Sequence, residues 1–240
     1  MINITDMTYV RIGTSNIDSA ASFATDTLGL QFVRREQDRI YVRGDNRDHS
    51  ICYVDTDPSY SVLGMELEDP NALDSAFLEL DASGISVKRG SPKECADRRV
   101  SDFIAFCDPT GNNIELNVRP YKATRRYFPS RDAGITEFSH VGLRTTNAKA
   151  DEEFWTSLFN VKVNDWIGPA GLLSFDKVHH RFALFPAARP GIQHINFQVE
   201  SIDDIMRSYY FLSDKQVHIV FGPGRHATSG AMFLYFEGPD

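Results

Sequence analysis

Short runs of two-residue alternation dominate this chain, separated by a few stretches with helical spacing. Arg39-Ile40-Tyr41-Val42-Arg43 and Ser50-Ile51-Cys52-Tyr53-Val54 read as hairpin strands. Phe138-Ser139-His140-Val141-Gly142-Leu143 and Ile192-Gln193-His194-Ile195-Asn196-Phe197 read as two more. The helices show themselves by their starts. Asn16 and Asn147 can each cap free amide groups with a side-chain oxygen. Pro70 opens a third helix that runs to about Ser83, where Gly84 stops it. Ser201 caps a fourth, with Ile205, Met206 and Tyr209 as its apolar stripe. The succession of strand, helix and several short strands occurs four times.

The same positions expose a duplication at an offset near 131. Tyr9-Val10-Arg11-Ile12-Gly13-Thr14-Ser15-Asn16 falls on His140-Val141-Gly142-Leu143-Arg144-Thr145-Thr146-Asn147, and Phe23 on Phe154. Glu66-Leu67-Glu68 meets Gln198-Val199-Glu200, and Pro109 meets Pro239. The repeat divides the chain into halves at 1–118 and 137–240. Residues 119–136, with Pro120, Arg125, Arg126 and Pro129, read as a solvated linker.

Two histidines stand out within this pattern. Alternate strand side chains share a face, so His140 points away from Val141 and Leu143, and His194 away from Ile195 and Phe197. A lone strand histidine is ordinarily structural. Two on the polar faces of separate strands suit a metal centre with scattered ligands. By contrast, His49 and His218 show no register and read as surface residues, and Trp155 and Phe154 read as core.

Composition narrows the function classes. The chain has 240 residues, 42% hydrophobic and 24% charged, ordinary for a globular protein. A net charge of -8 argues against nucleic acid as a partner. No apolar stretch nears the roughly 20 residues of a membrane-spanning helix, and the first residues lack a secretory pattern. Cys52, Cys95 and Cys107 are odd in number and widely spaced, and read as buried thiols in a cytoplasmic protein.

The phrase Phe106-Cys107-Asp108-Pro109-Thr110-Gly111-Asn112-Asn113-Ile114-Glu115, with the histidines of the second half, resembles the two-domain extradiol ring-cleavage dioxygenases of the vicinal oxygen chelate superfamily. The resemblance covers essentially the whole chain. It implies an α+β fold of four βαβββ modules paired into two domains, each a curved mixed sheet forming a cup. It implies iron(II), Fe(II), on His140, His194 and a glutamate, with open positions for a catechol-type substrate and O2. That glutamate belongs ten residues after Tyr235, near position 245, as Glu115 follows Ala105. Tyr235-Phe236-Glu237-Gly238-Pro239-Asp240 therefore looks like a module-closing phrase broken off, and Glu237 is a weak substitute. In the first half the equivalent positions are Tyr9, Val62 and Glu115, which implies a metal-free domain.

Around the metal, the resemblance implies that His180 in His179-His180-Arg181-Phe182 exchanges protons with the substrate, with His179 as the second choice. His226 and Tyr235 would donate hydrogen bonds to substrate or oxygen. Gln193-His194 stands where many relatives have His-His, and Thr228-Ser229 where asparagine-aspartate is common, which bears on substrate identity. Trp166 is a candidate for the pocket entrance. A glyoxalase-like lyase or isomerase and a non-catalytic small-molecule-binding protein are the competing readings, since fold alone never fixes function. The resemblance further implies a homo-oligomer.

Overall fold

Each expected helix start carries its cap in the computed structural model, which describes residues 1–239. Asn16 accepts the Ser19 amide at 3.0 Å to open α1 (Ile17–Ser22), which continues as a π-helical turn over Phe23–Leu28. Asp69 caps α2 (Pro70–Ala82). A capping box of Ser91 and Glu94 starts α3 (Pro92–Arg98), which the hydrophobic pattern does not reveal because its only buried residue is Cys95. Asn147 caps α4 (Ala148–Leu158), and Ser201 with Asp204 begins α5 (Ile202–Asp214).

Strands fill the intervals. β1 (Ile4–Thr14) precedes α1 in the chain, and β2 (Gln31–Glu36), β3 (Arg39–Arg43) and β4 (Ile51–Asp55) follow it. β5 (Ser61–Leu67), β6 (Lys88–Arg89), β7 (Asp102–Cys107) and β8 (Asn113–Val118) accompany α2 and α3. β9 (Ile135–Thr145), β10 (Lys162–Ile167), β11 (Ala170–Ser174) and β12 (Phe182–Pro186) go with α4, and β13 (Ile192–Val199), β14 (Ile219–Arg225) and β15 (Met232–Phe236) with α5. The fold is α+β with mixed sheets, built from a repeated β-α-β succession. None of the helices among the described residues is long and apolar enough to cross a membrane.

Contacts gather the chain into two units, each drawing on both halves of the sequence. The first holds Met1–Arg11, Ser59–Lys122 and Ser139–Asn196; the second holds Ile12–Pro58, Ala123–Phe138 and Phe197–Asp240.

In the first unit, β5 runs parallel to β8, and β8 antiparallel to β7. A second sheet has the order β10-β11-β12-β9-β13, with β12 parallel to β9. Trp155 of α4, fully buried, packs on Phe159 and Phe182 with ring centroids 4.8 and 4.9 Å away. The module-closing phrase is a clamp. Asp108 accepts the amides of Gly111 and Asn112 at 2.9 and 2.8 Å. Gly111 has φ +100, a conformation that glycine adopts without penalty. Held this way, the Asn112 side chain donates to the Arg144 carbonyl at 2.9 Å and accepts the Gly191 amide at 2.7 Å. Cys52 and Cys95 are buried as expected, but Cys107 is exposed because it ends β7 beside this turn.

In the second unit, β2, β3 and β4 form an antiparallel ladder, and β14 pairs with β15. Residues 123–138 are stitched down. Arg131 donates to Thr27 O and Ser208 Oγ, both at 2.9 Å, and Ala123 N to Asn46 O at 2.8 Å. Arg125 and Arg126 are exposed, as expected of solvated charges. His49 is not at the surface. It is buried edge-on against Tyr41, with Nδ1 3.0 Å from Asp48, because Asp48 and the ring give an imidazole both a charge and an apolar partner. Sequence position alone does not signal that pairing.

Candidate metal and proton-transfer site

His140 and His194 meet on neighbouring strands of the first unit. β9 and β13 lie side by side, and the two Nε2 atoms stand 3.1 Å apart with the rings edge to face at 86°. Both side chains are half-buried. The His194 Nδ1 lies 2.7 Å from Gln193 Oε1. An amide oxygen only accepts, so that nitrogen carries the proton and His194 Nε2 is a lone pair. Aimed at another ring nitrogen, that lone pair needs a proton from His140 or a cation. Two nitrogen ligands in cis positions on an octahedral ion, about 2.1 Å from it, stand about 3.0 Å apart. The pair therefore fits two positions of a divalent metal. Among the described residues no group of three His, Cys, Asp or Glu side chains completes such a site, and the glutamate expected near position 245 lies outside them. Glu237, the weak substitute, is instead 2.9 Å from His218.

Two features of this pair were not singled out in the sequence. Phe185 packs edge-on against His194 at 5.5 Å. Gly142, two residues after His140, leaves the room that His194 needs. A Cβ there would lie 2.5 Å from His194 Nδ1 and 3.0 Å from Gln193 Oε1. A glycine two residues from a candidate ligand on the same strand was the available signal. We expect Gly142→Ala to displace the ring and break its bond to Gln193. Metal affinity should fall about 10- to 100-fold, the usual cost of losing an outer-sphere partner. Titration with a competing chelator measures it.

His180 lies on the same cluster, its ring 4.4 Å from that of His140. It is placed by the turn into β12, where Val141 N donates to Arg181 O at 3.1 Å. Arg181 is itself fixed, donating to Ser139 O at 3.1 Å and pairing with Asp176 at 2.9 Å. His179 is adjacent, with Nδ1 3.1 Å from His180 Nδ1. Trp166 of β10 is exposed, and its Nε1 donates to Glu152 at 3.1 Å.

His226 and Tyr235 are partners within the second unit. The imidazole Nε2 is 3.2 Å from the Tyr235 hydroxyl and the ring stacks on Phe233 at 4.1 Å. Burial pushes the His226 pKa below its ordinary 6.5 and the Tyr235 phenol above 10. At neutral pH the phenol therefore keeps its proton and the imidazole is neutral, so one hydrogen bond joins them, its direction set by the imidazole tautomer. Between 6.5 and the lowered value, the unfolded chain binds more protons at this histidine than the folded one does. Stability should then decline as pH falls through that window and level off below it. An NMR titration of the His226 ring protons checks this, and a midpoint at or above 6.5 would contradict it.

The first half carries a counterpart built for a different purpose. Tyr9 donates to Glu115 Oε2 at 2.7 Å, and Arg98 grips both carboxylate oxygens, at 2.7 and 2.5 Å. Burial and then the Glu115 charge hold the Tyr9 phenol well above its ordinary pKa. Glu115 therefore serves a guanidinium. Arg98 comes from α3, the helix whose residues show no apolar period.

Comparison with known proteins identifies the family. The model of the glyoxalase/bleomycin resistance protein/dioxygenase superfamily matches residues 7–116 and 137–240. Biphenyl-2,3-diol 1,2-dioxygenase of Sphingomonas paucimobilis is 26% identical over 258 residues, all of this chain and 86% of the relative. An iron-dependent extradiol dioxygenase of Rhodococcus jostii is also 26% identical, covering 99% of this chain and 87% of its own. A manganese-dependent 2,3-dihydroxybiphenyl 1,2-dioxygenase of Geobacillus genomosp. 3 is 24% identical, over 96% and 80%. Among solved structures, a halotolerant catechol dioxygenase superposes with a TM-score of 0.91 at 21% identity, over all of this chain and 85% of that one.

Proposed function

We propose that this chain, which belongs to the glyoxalase/bleomycin resistance protein/dioxygenase superfamily, is an extradiol dioxygenase that opens a catechol-type ring with O2. One observation carries the reading: two imidazole Nε2 atoms 3.1 Å apart on adjacent strands, with a third imidazole ring against one of them. His140 and His194 would hold the metal, which we take to be iron(II). When bound, the ion supplies open positions for diol and dioxygen and a path for electrons between them.

The remaining steps belong to the side chains. His180 takes a phenolic proton from the diol and later returns one, work for which an imidazole is suited near neutral pH. Gln193 holds His194 in the tautomer a ligand requires. Substrates are catechols with a further ring, as the names of the biphenyl-diol relatives suggest.

The test is anaerobic loading of metal-free protein with iron(II) or manganese(II), followed by O2 and a panel of catechols including biphenyl-2,3-diol. A yellow product containing both atoms of labelled O2 is expected. Turnover independent of oxygen would instead assign a lyase or isomerase.

A further inference from the structure

Register slips between β10 and β11 at Val163 and Asp165, leaving Asn164 as an extra residue on its strand. A bulge re-aims the side chains beside it. Here both residues at the slip reach one neighbour. Asn164 Nδ2 donates to the His179 carbonyl at 2.9 Å, and the Asp165 carboxylate lies 3.9 Å from His179 Nε2. His179 faces His180, Nδ1 to Nδ1, at 3.1 Å. The chain of contacts thus runs from Asp165 through His179 to His180, whose ring lies against His140.

A hydrogen bond between two ring nitrogens needs one N–H and one lone pair. The nearby carboxylate favours the proton of a neutral His179 on Nε2, the nitrogen it faces. His179 Nδ1 is then the lone pair, so His180 must carry its proton on Nδ1. That leaves His180 Nε2 as the acceptor.

We propose that His179, oriented by Asp165 and Asn164, is a positioning residue that fixes His180 in the Nδ1–H tautomer and so makes Nε2 its proton-accepting nitrogen. The consequence for catalysis rests on the ring-cleavage reading; the tautomer does not.

Long-range nitrogen-15 NMR of the histidine rings in metal-free protein reads the tautomer directly. Wild type should show His180 protonated on Nδ1, and both His179→Phe and Asp165→Asn should lose that preference. With iron(II), O2 and biphenyl-2,3-diol, His179→Phe should lower kcat about tenfold and leave KM within about twofold, a loss smaller than removing the proton-transfer group itself. His179→Gln, whose amide oxygen can accept from His180, should recover most of the rate. A wild-type His180 protonated on Nε2, or a tautomer unchanged in both variants, would overturn the proposal, as would a loss confined to KM. If wild type opens no diol, the ring-cleavage reading fails and the NMR measurement alone decides the tautomer.

Discussion

Replacing His194 with alanine should abolish metal retention and ring cleavage together. His194 Nε2 is one of two nitrogens that converge at 3.1 Å, and its orientation is set by Gln193 on one side and Phe185 on the other. Removing it leaves one imidazole where two are needed. Affinity should fall by more than the roughly 100-fold ceiling typical of outer-sphere changes. Metal content after dialysis against a chelator, followed by the ring-fission absorbance, measures both effects. His194 leaves the site if the variant keeps its metal and turns over. Because the packing around β13 stays intact, the thermal transition should move little. That separates loss of ligand from loss of fold.

A larger structural effect is expected in the other half. Arg98 and Glu115 form an ion pair whose side chains are 11% and 4% exposed. Removing one partner of a buried pair costs about 3–5 kcal/mol, since the other charge is left stranded. For a chain of this size that is roughly a 10 °C fall in Tm. Arg98→Met should show this loss in urea or thermal unfolding. In the double variant Arg98→Met, Glu115→Leu no carboxylate is stranded, so most of the stability should return. Loss below about 1 kcal/mol in the single variant would mean that Glu115 finds water or another cation.

The elements were legible because their signals are local. Caps at Asn16, Asn147 and Ser201, and the proline before α2, are written into adjacent residues. So is the alternation that sends His140 and His194 to the polar face of their strands. What could not be read were relations between distant positions. Helix α3 has too few apolar residues to show a period, yet it supplies Arg98. His49 appears solvent-facing until Tyr41 and Asp48 are folded around it. The departure at Gln193 reads in sequence as a missing histidine. In the structure its amide oxygen accepts a hydrogen bond from His194 Nδ1–H. The bulge at Asn164 depends on the register with β11, which no single strand reveals.

One amide from the first half spans the two strands that bear the paired imidazoles. Asn112 bonds to Arg144, four residues beyond His140, and to Gly191, three residues before His194. The spacing of the paired imidazoles is therefore held by a side chain that never touches a ligand. The repeat thus lets a residue of one half act as a calliper for the histidines of the other. Lesions at Asn112, or at the Asp108 turn beneath it, should surface as defects of metal handling.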